Sequence, residues 1–229
     1  MLSISNLNVF YGESQVIHDA SLALDAGAAV AVVGRNGMGK STLLKSVIGM
    51  VPTKSGAITL DGRNLAGLSS YKRVQAGLAF VPQGRMIFSQ LSVEENILTG
   101  LETGRYTGIP DFIYTFFPVL REMKDRKGGN LSGGQQQQLA IARALVSKPK
   151  VLILDEPTEG IQPSIIKEIA RSLNALRAEL GIAILVSEQV LSFALEVADR
   201  VVVIDRGRIV RSDEKSSLNL EEVRSYLTV

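Results

Sequence analysis

Residues 28–33, Ala28-Ala29-Val30-Ala31-Val32-Val33, run straight into Gly34-Arg35-Asn36-Gly37-Met38-Gly39-Lys40-Ser41. An unbroken run of small and β-branched apolar residues is what a parallel strand buried on both faces requires. After the glycines, residues 40–48 space their apolar side chains as a helix does. The order is therefore strand, glycine loop, helix. Gly34 to Ser41 fits G-x-x-x-x-G-K-[ST], and that flanking context makes it a phosphate-binding loop. The glycines let backbone N–H groups turn inward to form an anion nest, and the helix N-terminus adds its partial positive charge. In such a loop Lys40 reaches the terminal phosphates and the Ser41 hydroxyl sits on Mg²⁺.

Strand and turn signals surround this unit on the N-terminal side. Residues 2–9 alternate, and residues 56–65 read as a hairpin turning at Asp61-Gly62. The last third alternates strand and helix: 151–154, helix 163–179, strand 182–187, helix 190–198, strand 200–205. That alternation predicts an α/β fold with a parallel sheet. Asp205-Arg206-Gly207-Arg208 reads as a hairpin turn, and Asn219 with Glu222 caps a short final helix. The middle of the chain is helical. Ser92-Val93-Glu94-Glu95 forms a capping box; a helix over Asp111 to Phe117 is limited or kinked by Pro118; another starts at Ser132 and ends before Pro149. The expected layout is one domain, 1–229, with a core of roughly 1–84 and 146–229 and a helical insert at 85–145.

Composition narrows the partners. The 229 residues are 45% hydrophobic, enough for a substantial core, and 25 basic residues nearly balance 23 acidic ones. Without clustered Lys and Arg, nucleic acid is not an implied partner. The absence of cysteine excludes disulfides and thiolate metal sites. Neither a signal-peptide pattern at the N-terminus nor an apolar run of membrane-spanning length is read, so a cytosolic location is expected, with membrane attachment only through a partner.

Two further segments carry chemistry. Val151-Leu152-Ile153-Leu154-Asp155-Glu156 is an apolar strand ending in two carboxylates, at the sheet mouth where ligands bind in α/β folds. Asp155 is expected to hold the Mg²⁺ shell through water, and Glu156 to orient, and deprotonate, an attacking water. Leu131-Ser132-Gly133-Gly134-Gln135 opens a helix that Ser132 caps, and its glycines leave amides bare for a second anion site. One nucleotide does not need two helix N-termini from one chain. The second site makes sense if it meets a γ-phosphate bound by another subunit.

With these segments in this order, the chain resembles the ATP-binding subunits of ABC transporters over essentially its whole length. The resemblance implies a P-loop NTPase core with a mixed, largely parallel sheet, an N-terminal antiparallel β-subdomain and an α-helical insert. It implies that Gly34, Arg35, Asn36, Gly37, Met38, Gly39, Lys40, Ser41 and Thr42 bind ATP, and that Tyr11 stacks on adenine. Gln83, in Val81-Pro82-Gln83, resembles the glutamine that senses Mg²⁺ and the attacking water. Leu131, Ser132, Gly133, Gly134 and Gln135 would contact ATP on the partner subunit. The implied assembly has a second, different ATPase subunit, two transmembrane permeases and a periplasmic binding protein, with this subunit on the cytoplasmic face of the inner membrane. A short cytoplasmic permease helix would dock beside the insert, where Phe112, Phe116, Phe117 and Leu120 are candidates to line the groove. Within the family, Gly128 to Gln138 and Asp155 to Ser164 resemble the shorter ATP-binding subunit of urea importers. The corresponding subunit of branched-chain amino-acid importers is the alternative. A soluble ABC-type ATP switch is the alternative of another class, and it would need a coiled coil or two cassettes, which this sequence lacks.

Two positions depart from the family pattern. Gln189, after Glu188, stands where most members carry a histidine, and Gln162 replaces a usual aspartate. Glutamine can hydrogen-bond a phosphate or water but carries no charge, so slow basal hydrolysis is expected. The one histidine, His18, precedes the phosphate loop and is read as a surface or packed strand residue.

Overall fold

The all-apolar strand read at 28–33 lies inside a six-stranded sheet, flanked on both sides. A computed structural model of the chain describes residues 1–101 and 108–227. Among these the order is β1 (Leu2–Tyr11), β2 (Ser14–Leu24), β3 (Ala29–Val33), α1 (Lys40–Ile48), β4 (Thr53–Leu60), β5 (Arg63–Asn64), α2 (Ser70–Gln75), β6 (Leu78–Val81), α3 (Val93–Leu98), α4 (Asp111–Phe116), α5 (Pro118–Glu122), α6 (Gly133–Leu145), β7 (Val151–Asp155), α7 (Pro163–Leu180), β8 (Ala183–Glu188), α8 (Leu191–Val197), β9 (Arg200–Asp205), β10 (Arg208–Glu214) and α9 (Leu220–Ser225).

The larger sheet has the order β10-β9-β3-β8-β7-β6. Its pairs are parallel except β9 with β10, which form the hairpin expected at residues 205–208. Every residue of β3, β7 and β8 is buried, as their apolar runs require, and the polar ends Asp155, Ser187 and Glu188 are buried with them. The register sets Val33 beside Glu188, and Ser187 beside Asp155. The segments that leave β3, β8, β7 and β6 therefore emerge side by side at one mouth of the sheet.

A second sheet, antiparallel, has the order β2-β1-β4-β5. Leu2, Ile4, Leu7 and Val9 of β1 are buried toward one face. They share a core with Leu43, Leu44 and Val47 of α1 and with Val30, Val32, Ile153 and Leu185 of the larger sheet. Helix α1 thus lies between the two sheets, and the phosphate loop at its N-terminus is anchored from both. The opposite face of the larger sheet packs Ala31, Val33, Leu154 and Val186 against a helical layer that includes Leu139 of α6, Leu173 of α7 and Phe193 of α8.

In the middle span the capping box at Ser92 and Glu95 forms as read. Pro118 limits α4, which ends at Phe116, and kinks no helix. It opens α5 at the first position, where a missing N–H costs nothing. Phe117 and Leu120, candidates for the permease groove, are fully buried against α6 and α7, so they belong to the core. Residues 102–107 of the expected insert, and residues 228–229 of the expected domain, lie outside the described residues.

Candidate functional site

Gly34 follows β3 and cannot carry a side chain: a Cβ there would sit 2.4 Å from the Ile204 carbonyl oxygen of β9. That close approach lets the loop fold back over the sheet edge toward α1. Lys40, 3% exposed, heads the helix. Its ammonium donates to the Gly34 carbonyl at 2.7 Å and the Arg35 carbonyl at 3.0 Å, and lies 3.0 Å from Glu156 Oε1. An ammonium has three protons, and these three partners take all of them. Arg35 thus acts through its carbonyl, and Met38 packs toward the core between the two sheets, its sulfur accepting from the Arg206 backbone N–H.

Asp155, 1% exposed, closes β7. Its Oδ1 accepts from Ser41 Oγ at 2.8 Å and from Ser187 Oγ at 2.7 Å. Its Oδ2 is buried and has no partner among the described residues. An unpaired buried carboxylate oxygen is costly, about 1–3 kcal/mol or more. Beside the Ser41 hydroxyl, it is the donor set a hard divalent cation prefers. No group of three His, Cys, Asp or Glu side chains that could hold a metal unaided occurs among the described residues. Mg²⁺ fits this, because it takes one or two carboxylates together with substrate phosphates and water.

Glu156 adopts φ 47, a left-handed conformation that is strained for a residue with a Cβ. The backbone is held there by its N–H, which donates to both the carbonyl and the hydroxyl of Ser187 at 3.1 Å. The strain turns the carboxylate between Lys40 and Gln83, whose Nε2 donates to Oε2 at 3.1 Å. Gln189, just past β8, donates from Nε2 to Asn36 Oδ1 of the phosphate loop. These groups border a cavity of about 200 Å³, lined by most of the loop from Asn36 to Thr42, by Gln83 and Glu156, and by Val16 of β2.

The structure thus gathers Asn36, Lys40, Ser41, Thr42, Gln83, Asp155, Glu156 and Gln189 around one cavity or its immediate hydrogen bonds. It does not bring Tyr11 to the lining. Tyr11 is half exposed at the end of β1, and Val16 from the next strand faces the loop instead. Residues 131–135 do not line this cavity either. Ser132 Oγ accepts from the Gln135 N–H at 3.3 Å, while Gln135 Oε1 accepts from the Ser132 N–H at 2.9 Å, so Gln135 completes a second capping box. A Cβ on Gly134 would lie 2.5 Å from Ile165 Cγ2, so this glycine lets α6 start hard against α7. Gln162 is exposed and precedes α7 without a side-chain cap. His18 lies on β2, part-buried, its backbone N–H donating to the Gly207 carbonyl, as a packed strand residue should.

Three residues were not singled out from sequence. Ser187 joins Asp155 to the Glu156 backbone. Glu188, 2% exposed, has a carboxyl that burial pushes up and that hydrogen bonds from Thr158, Val190 and Gln189 pull back down. Its signal was present in part, because it too is a carboxylate at the end of a strand that opens with an apolar run, Ala183 to Val186. Arg85 donates to the Glu159 carbonyl at 3.0 Å and lies against Gly133. Next to it, Phe80, Pro82, Met86 and Phe88 line an open groove of about 470 Å³ with Arg143 at its edge.

The ABC transporter family matches residues 17–159, which contain the phosphate loop, Gln83, residues 131–135 and Asp155-Glu156. The chain is 42% identical to the high-affinity branched-chain amino acid transport ATP-binding protein BraG of Pseudomonas aeruginosa, over 95% of this chain and 94% of that protein. It is 39% identical to the probable branched-chain amino acid transport ATP-binding protein LivF of Archaeoglobus fulgidus, over 91% of this chain and 90% of that one. Among solved structures, the ADP conformation of an ATP-binding cassette of an ABC transporter superposes with a TM-score of 0.83 at 26% identity, covering 99% of this chain and 94% of the other. With fold, motif order and near full-length similarity in agreement, the chain belongs to the ABC transporter family as an ATP-binding, ATP-hydrolysing subunit.

Proposed function

We propose that this chain drives a multi-subunit importer of branched-chain amino acids from the cytoplasmic face of the membrane. The observation that supports its hydrolytic role is the meeting of Lys40 with Glu156 at 3.0 Å in one cavity with Gln83. The cargo is supported by the two relatives named for branched-chain amino acid transport, which match over nearly their whole length. No helix among the described residues is long and apolar enough to cross a membrane, so on this reading the permease supplies the attachment.

The geometry supports the following mechanism. The nest of loop amides and Lys40 binds the β- and γ-phosphates of ATP, and Ser41, Asp155 and Gln83 would hold Mg²⁺. When bound, Mg²⁺ would offset the charge that builds up in phosphoryl transfer. As phosphate arrives, Lys40 exchanges Glu156 Oε1 for phosphate oxygens. Glu156 is thereby released to accept a proton from a water that Gln83 and Gln189 orient toward the γ-phosphate. Residues 131–135 complete the site of a second ATPase subunit, and the groove lined by Met86 and Phe88 receives a short permease helix.

A urea cargo is the second reading, favoured by the segments Gly128 to Gln138 and Asp155 to Ser164. Uptake in cells lacking this gene separates the two. Loss of labelled leucine uptake with urea uptake intact supports the amino-acid reading, and the opposite pattern assigns urea. ATPase activity tests the rest: a chain with its membrane partners that releases no phosphate from MgATP contradicts it.

A further inference from the structure

Among the described residues the mechanism leaves one buried carboxylate unused. Glu188 closes β8, between the strand that carries Asp155 and the strand that feeds the phosphate loop. Each of its carboxylate oxygens receives two donors. Oε1 accepts from the Thr158 N–H at 3.0 Å and the Thr158 hydroxyl at 2.7 Å. Oε2 accepts from the Gln189 N–H at 2.9 Å and the Val190 N–H at 3.1 Å. Thr158 lies two residues past Glu156, whose left-handed backbone is held from the other side by Ser187. One carboxylate therefore fixes both the chain leaving Glu156 and the backbone of Gln189, whose amide reaches Asn36 of the phosphate loop.

We infer that Glu188 is a positioning residue for hydrolysis, holding Glu156 and Gln189 in register against the phosphate loop while touching no substrate itself. This rests on the reading of Glu156 and Gln189 as hydrolytic residues. Glu188→Gln keeps the volume but replaces one acceptor oxygen by an NH₂ group. Because that group faces N–H donors on either side, at least one of the four bonds is lost. Thr158→Val removes only the hydroxyl bond, and Thr158→Ser keeps it.

The test measures kcat, ATP affinity and thermal denaturation of the full chain with its membrane partners, beside Glu156→Gln as reference. Glu188→Gln and Thr158→Val are each expected to lower kcat by roughly ten- to hundredfold, the scale of small misplacements of reacting groups, while the Kd for ATP stays within about twofold. Thr158→Ser should restore the wild-type kcat, and the double variant should lose no more than Glu188→Gln alone, because both cut the same link. A folded Glu188→Gln or Thr158→Val that turns over at the wild-type rate overturns the inference, as does an equal loss in kcat and affinity. If Glu188→Gln does not fold, Thr158→Val decides alone. A Glu156→Gln protein with full turnover would instead overturn the assignment of Glu156 and this inference with it. An inactive Glu156→Gln beside wild-type Thr158→Val sinks the Glu188 role only.

Discussion

Lys40 has three protons and three partners within the chain, one of them the carboxylate proposed to activate water. Phosphate and Glu156 should therefore compete for this ammonium. Lys40→Ala removes the cation and should weaken ATP binding at least about tenfold, roughly the 1.4 kcal/mol expected for losing a charge-assisted contact. Glu156→Gln removes the competitor. It should tighten ATP binding by roughly severalfold while lowering turnover by about two to four orders of magnitude, the usual contribution of a general base. Equilibrium binding of a fluorescent ATP analogue and phosphate release measure both. A Glu156→Gln chain that binds ATP more weakly contradicts the competition. The loop, Lys40, Asp155 and Glu156 were legible from pattern alone, because glycine spacing before a helix and a carboxylate at the mouth of a parallel sheet each serve phosphate chemistry. The exchange of partners was not legible, because it depends on strand pairing between segments far apart in the chain.

The segment after β6 shows how elements constrain one another. Gly84, Arg85 and Met86 are all left-handed, with φ 78, 66 and 47. The last two carry side chains, at about 1–2 kcal/mol each. Arg143 of α6 holds them, its Nη2 donating to the Arg85 carbonyl at 3.3 Å and the Met86 carbonyl at 2.9 Å while its guanidinium stacks over Phe88. Burial lowers the pKa of Arg143, which remains a cation. Arg143→Ala should destabilise the protein by about 1–3 kcal/mol in denaturant titration with an unchanged m-value, and should release the turn that carries Gln83. An unchanged midpoint would show that the turn holds itself. Ser132→Ala breaks the second capping box and should cost about 1 kcal/mol; a wild-type midpoint in the same titration would show that the box adds nothing. The box at Ser92 was legible as S-x-x-E. The one at Ser132 carries the same spacing with glutamine, but the glycines drew the reading toward bare amides. Nothing in Arg85-Met86 signals positive φ, so the turn was visible only in three dimensions.

Across the whole molecule, one sheet edge organises the site. The order β3-β8-β7-β6 delivers the phosphate loop, Gln189, Glu156 and Gln83 in a row. The α/β class, the alternating first strand, the hairpin at Asp61-Gly62 and the helical middle followed from periodicity, turn residues and caps, since each suits one kind of element. The order of the strands did not, because pairing is nonlocal. Tyr11 ends β1, half exposed, one strand before Val16, which lines the cavity. Residues 131–135 lie outside this chain's own cavity, as they must if they serve another subunit's nucleotide. The central claim is that two such chains, or this chain and a related ATPase, close on shared ATP. The structure of Glu156→Gln trapped with MgATP tests it most directly. Ser132 and Gly134 of one protomer should then stand within hydrogen-bond reach of the γ-phosphate held by the partner's phosphate loop. A closed, nucleotide-filled dimer in which residues 132–134 remain in solvent would contradict it.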